Sequence, residues 1–143
     1  MLSIKFLSLC TLSDLFVKDK LVFLLIVTSS HSLSRFTAAS FIFTQSYVRL
    51  SEESKAKPVA DKIRLSHFYL AAFLGILPFI FLVQLHNTPL LFLTFLPILI
   101  TRLYLSNYFK KWIGGYTGDC LGAVQQLTEV VIYLSIIVIW RFI

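Results

Sequence analysis

Charge is what this chain has least of. Only 14% of its 143 residues are Asp, Glu, Lys or Arg, and none of these lies between Leu65 and Thr101. A soluble domain of this length cannot hide a composition that is 57% hydrophobic and 15% aromatic, so the natural solvent is lipid. Cysteine is scarce too. Cys10 and Cys120 are far apart and lack CxxC or CxH spacing, which indicates neither a disulfide nor a zinc site. His31, His67 and His86 have no metal-ligand spacing and read as interfacial or packing residues. No internal repeat or low-complexity tract is present. The first apolar run is followed by an acidic turn and not by a small-residue cleavage site, so it does not read as a cleaved signal peptide. The formal net charge of +6 reads as membrane orientation before it reads as ligand binding, and no nucleic-acid partner is expected.

What is present is a set of apolar segments. Five helices are expected, at about Leu2 to Phe16, Leu21 to Tyr47, His67 to Leu85, Leu90 to Tyr108 and Leu121 to Ile143. The uncharged stretch is too long for one span and fits two, with Gln84, His86, Asn87, Thr88 and Pro89 as the turn. The expected fold is all-α: a polytopic integral-membrane helical bundle of about five helices, one transmembrane domain over residues 1–143. The middle of the second helix, Thr28 to Arg35, is too polar to face lipid, and a buried Arg35 would need a partner or a water-filled cavity. Pro78 and Pro97 fall inside the third and fourth spans, where neighbouring helices can satisfy the freed backbone groups. Arg49, Lys55, Lys57, Lys62 and Arg64 outnumber Glu52, Glu53 and Asp61 in one loop, and Arg102, Lys110 and Lys111 approach the last span. The positive-inside rule makes that face cytoplasmic, together with the start of the first helix, and leaves Arg141 as a small counterweight outside.

The richest segment for chemistry runs from Gly114 to Ala123. It joins a glycine-rich turn bearing Asp119 to the last span. Glycines permit close backbone approach and positive φ, and a carboxylate is a hard ligand for a divalent cation. Gln126 and Glu129 follow Asp119 at steps that keep all three within about a quarter to a third of the helix circumference. Such a stripe faces a cavity or serves as interhelical hydrogen bonding. Ser54-Lys55-Ala56-Lys57-Pro58, taken alone, reads as a solvated loop.

The run Gly114-Gly115-Tyr116-Thr117-Gly118-Asp119-Cys120-Leu121-Gly122-Ala123, followed by Gln125, Gln126 and Glu129, resembles the C-terminal signature of the cobalamin synthase family, also called adenosylcobinamide-GDP ribazoletransferase: GG-x-TGD-x-LGA and a polar helix. Ser34-Arg35, Tyr47-Val48-Arg49 and Ser54-Lys55-Ala56-Lys57-Pro58 support the match. The resemblance implies transfer of adenosylcobinamide phosphate from adenosylcobinamide-GDP to α-ribazole or its 5′-phosphate, with release of GMP and with Mg2+ as cofactor. It also implies a multi-pass protein of the cell inner membrane with a cytoplasmic active face, parallel in chemistry to CDP-alcohol phosphotransferases. On that reading Asp119 would hold Mg2+. Gly114, Gly115, Thr117 and Gly118 would contact phosphate oxygens, and Lys55, Lys57 and Arg35 would neutralise phosphate charge. Glu129 and Gln126 would support a second metal or the incoming ribazole.

One departure stands out. Family members carry an aspartate-rich motif of the type DG-x-x-D-T-x-D-G before the region resembled here, and this sequence has no counterpart; Asp14 and Asp19 are isolated. The expectation is an N-terminally truncated enzyme, lacking the aspartate-rich half and working with a separate N-terminal half or not at all. The reading from a different class is a non-catalytic membrane scaffold or transporter-like fragment, with Arg35 lining a path and the glycine turn purely structural.

Overall fold

The structure is a computed structural model that describes residues 1–48 and 65–142, with the side chain of His86 outside the description. Its helices are α1 (Leu2–Leu15), α2 (Lys20–Thr44), α3 (Leu65–His86), α4 (Phe95–Ile113) and α5 (Gly118–Trp140), with a 3-10 segment at Pro89–Thr94 ahead of α4. The described residues contain no β-strand, only one isolated parallel bridge between Tyr47 and Tyr116. Four helical stretches are long and apolar enough to cross a membrane: α2, α3, Pro89–Ile113 and α5. The protein is a multi-pass membrane bundle, as its composition requires.

α2 and α5 form the central pair. α3 packs on α2, while α1 and α4 pack on α5. Ser29, Ser30 and Ser34 in the polar middle of α2 are buried, and most of the hydroxyls along this helix find an acceptor, with Ser29 the exception among the described residues. Ser30, Thr37 and Ser40 donate to backbone carbonyls three or four residues back, and Ser32 donates across to the Gly75 carbonyl of α3 at 3.1 Å. A Cβ on Gly75 would come within 2.7 Å of the Phe36 Cβ, so a glycine is what lets these two helices touch.

Several boundaries differ from the sequence reading, each for a local reason. α2 ends at Thr44 because Gln45 turns to extended backbone, φ −135° and ψ 155°, and the chain then runs beside Tyr116. α5 begins at Gly118, three residues early, because Thr117 caps it. The fourth span starts with a 3-10 turn, so Pro97 falls in the first turn of α4, where its missing N–H breaks no helical bond. α1 has only 14 residues, about 21 Å of helix. Its Lys5 meets Glu129 halfway along α5, and its far end closes on the end of α5 through Phe16 and Trp140, with ring centroids 4.6 Å apart. The start of α1 therefore lies at mid-depth of the bundle and not at the end that carries Gly118.

Candidate functional site

Two polar regions lie on α5, and they are built differently. The first is the turn that delivers the chain from α4 into α5. Gly114 takes the left-handed conformation, φ 81°, and its N–H donates to the carbonyls of Phe109 and Lys110, closing α4. Gly115 is the contact point. A Cβ there would lie 2.2 Å from the Ser46 carbonyl oxygen and 2.8 Å from Val48 Cγ2. The absent side chain lets the Tyr116 N–H donate to Ser46 at 3.0 Å and the Val48 N–H donate to Tyr116 at 2.9 Å. The Tyr47 and Tyr116 rings meet edge-on at 5.5 Å. Burial, with the neighbouring Tyr47, pushes the Tyr116 phenol pKa up, so it stays neutral.

Thr117 is buried, and its Oγ1 accepts from the Cys120 N–H at 3.3 Å while lying 3.2 Å from Cys120 Sγ. Its hydroxyl is the helix N-cap. That leaves the N–H groups of Gly118 and Asp119 without an acceptor among the described residues, at the positive end of a 23-residue helix. Gly118, Asp119, Gly122 and Gln126 are exposed. A Cβ added at Gly118 or Gly122 would meet nothing within 4 Å, so packing does not explain those two glycines. Asp119 makes no hydrogen bond or ion pair with any described residue.

The second region lies about three turns further along α5. Glu129 is 3% exposed. It receives Lys5 Nζ at 2.9 Å from α1 and Tyr133 Oη at 2.9 Å, and His31 Nδ1 of α2 stands 4.0 Å away. Arg35 Nε donates to His31 Nε2 at 3.0 Å. Because that ring nitrogen accepts, the other carries the proton, and the network sets Nδ1–H toward the Glu129 carboxylate. Arg35 is exposed and partnered, so the buried charge expected at this position is Glu129 and not Arg35.

The expected stripe therefore divides. Asp119 and Gln126 look outward from α5, whereas Glu129 is turned into the contact with α1 and α2. The structure joins Glu129 to Arg35 through His31, but no contact among the described residues joins either to Asp119. Lys55 and Lys57, and with them Arg49, Glu52, Glu53, Asp61, Lys62 and Arg64, lie outside the described residues. Val48, just before them, is hydrogen-bonded to the glycine turn.

Lys5, His31 and Tyr133 were missing from the sequence reading of the site. Tyr133 and His31 were legible in principle, four residues from Glu129 and Arg35 on the same helix faces. Lys5 was not, since its partner is 124 residues away.

The sequence pattern of the cobalamin-5-phosphate synthase family matches residues 1–137. The chain belongs to this family. It is 39% identical over 113 residues to the adenosylcobinamide-GDP ribazoletransferase of Shewanella frigidimarina, an alignment covering 79% of this chain and 42% of that protein. It is 41% identical over 132 residues to the enzyme of the same name from Leptospira interrogans, covering 91% of this chain and 50% of that one. The Leptospira biflexa protein is 40% identical over 119 residues, 83% of this chain and 42% of its own length. The chain thus spans half or less of the length of these relatives. No solved structure matches it.

Among the described residues no group of three or more His, Cys, Asp or Glu side chains is placed to hold a metal ion. Asp119 fits Mg2+ only as one ligand among several. That suits an ion that keeps waters and takes its remaining contacts from one or two carboxylates and substrate phosphates.

Proposed function

We propose that this chain forms the C-terminal membrane half of an adenosylcobinamide-GDP ribazoletransferase, with its active face on the cytoplasmic side of the inner membrane. The reaction is attack by the hydroxyl of α-ribazole or its 5′-phosphate on the phosphorus attached to adenosylcobinamide; the bond to the GMP oxygen breaks and GMP leaves. The observation that carries this reading is the exposed start of α5, where two N–H groups and a carboxylate have no partner among the described residues. The helix end attracts an anion, and Asp119 repels it. One ligand would satisfy both, a diphosphate accompanied by Mg2+ that Asp119 would help to hold. The ion would supply charge neutralisation at the leaving group.

In this arrangement the Gly118 and Asp119 amides orient the diphosphate. Gly118 and Gly122 keep the surface low enough for it to approach. Gly114, Gly115 and Thr117 hold the turn in shape, with Thr117 acting through its cap. Lys55 and Lys57 follow a segment tied to this turn at Val48 and neutralise phosphate charge; Arg35, bonded to His31 beside Glu129, belongs instead to the cluster about three turns further along α5. Gln126, one exposed helix face further on, contacts the incoming ribazole. Glu129 has both oxygens engaged by Lys5 and Tyr133 and acts by positioning α1 and α2 against α5.

The test is Mg2+-dependent GMP release from adenosylcobinamide-GDP and α-ribazole by the membrane-embedded chain, alone and together with an aspartate-rich N-terminal half. Release that Asp119→Asn abolishes supports the reading. Absence of release from both samples supports a non-catalytic scaffold instead.

A further inference from the structure

α3 packs along α2, and it meets the 3-10 turn and the start of α4 at one end. There Phe79 meets Phe92 and Phe95 at 5.9 and 5.1 Å. At the other end Phe68 of α3 packs on Phe36 and Phe43 of α2, at 5.6 and 4.7 Å. A crevice of about 400 Å³ is left between the three helices, lined by apolar side chains that include Phe36, Phe68, Phe95, Ile98 and Leu99, with Arg102 among its lining residues.

Arg102 is held in place. Its Nε donates to Ser40 Oγ at 2.8 Å, one Nη donates to Thr44 Oγ1 at 3.3 Å, and the guanidinium lies 5.7 Å from the Phe41 ring centre. A guanidinium has five N–H donors, and these contacts use two. Among the described residues it has no carboxylate partner. Its depth is marked by the exposed ladder Tyr104, Tyr108 and Trp112, which begins just beyond it on α4 and is followed through by Lys110 and Lys111. Such aromatic and basic residues gather at headgroup level. Arg102 thus sits where hydrocarbon gives way to phosphate, and the crevice extends from it into the hydrocarbon.

We propose that this crevice binds one acyl chain of an anionic glycerophospholipid whose phosphate pairs with Arg102. Size argues for a chain over a helix. From Phe95 to Arg102 the groove runs about 10 Å, so its volume gives a cross-section of roughly 40 Å², well short of a helix about 10 Å across. Charge selects the headgroup: a cation with no carboxylate partner among the described residues, at the edge of hydrocarbon, attracts anionic lipid, and a guanidinium matches phosphate in a two-pronged geometry. The consequence reaches the turn. Arg102 grips Ser40 and Thr44 at the end of α2, Gln45 Nε2 is bonded to Ser106 at 2.8 Å, and the next residues bridge to Tyr116. A lipid seated on Arg102 steadies the end of α2 against which the glycine turn is built. The proposal stands independently of the transferase reading.

The experiment is native mass spectrometry of the full chain in detergent, titrated with phosphatidylglycerol and, separately, with phosphatidylcholine. The expected result is one retained phosphatidylglycerol, favoured over phosphatidylcholine, reduced at least tenfold by Arg102→Gln, partly kept by Arg102→Lys and unaffected by Arg141→Gln. Leu99→Trp, which fills the crevice and leaves the cation in place, should reduce retention equally; it decides the matter if Arg102→Gln does not fold by circular dichroism. Equal retention in Arg102→Gln or of phosphatidylcholine overturns the proposal, as does displacement by inorganic phosphate, which marks a small-anion site. No adduct on the wild-type chain overturns it as well.

Discussion

At the Gly114–Thr117 turn, geometry comes from the backbone and from side chains that are absent. About three turns along the same helix, around Glu129, it comes from charged side chains drawn from three helices. The turn uses glycine contacts and one hydroxyl cap to hold itself against residues 46–48, and among the described residues Asp119 and two amides have no partner. The Glu129 cluster commits its carboxylate: Lys5 and Tyr133 take its oxygens, and His31 turns toward it. Polar residues on this membrane helix are thus of two kinds, those occupied in holding helices together and those with no partner among the described residues. Burial and partner lists separate them where sequence spacing does not.

The contrast is most sharply tested at Asp119. Asp119→Asn should lower GMP release at least a hundredfold, about 2.7 kcal/mol of transition-state stabilisation, while the unfolding temperature in detergent stays at the wild-type value. A large drop in that temperature would show that the side chain is structural.

At Glu129 the pattern should reverse. Lys5→Met leaves a buried carboxylate without its cation and should destabilise the bundle by about 3–5 kcal/mol, whereas Lys5→Met with Glu129→Leu should recover most of the loss. Denaturant titration of both variants measures this. A single variant as stable as wild type would mean that the ion pair does not hold α1.

The two glycines Gly115 and Gly118 divide the turn itself. Gly115→Ala places a Cβ against the Ser46 carbonyl and should cost about 1–3 kcal/mol as overpacking does. Gly118→Ala meets open space and should leave stability unchanged or slightly improved. Loss of GMP release in a stable Gly118→Ala protein would place the ligand against that position. The smallest effect belongs to Thr117→Ala, where loss of the cap should cost about 1 kcal/mol; Thr117→Ser should restore it, and a failure to do so would point to a contact beyond capping.

Much of the fold was legible because membrane spans follow from length and apolarity alone. α3, for example, is free of charge from end to end, and no tertiary contact is needed to read it. Boundaries were less so. The early end of α2 goes with a bridge between Tyr47 and Tyr116 that no local pattern announces, whereas the cap of α5 is a local contact between Thr117 and Cys120. The candidate site was legible as a motif, Gly114 to Ala123, but not as a division of labour. Spacing put Asp119, Gln126 and Glu129 on one face, and an angular spread of up to a third of the helix was enough to separate exposed residues from a buried one.

The sequence by itself determined the solvent, the helical architecture, the family and the Gly114–Ala123 motif, since each rests on composition or on residues adjacent in the chain. Only the tertiary structure decided which polar groups are committed. Lys5 meets Glu129 across 124 positions, Gly115 is needed because Ser46 lies against it, and Arg102 borders an apolar crevice made by three helices. Helix periodicity fixes the direction of a side chain around its own axis and says nothing of which neighbour stands there.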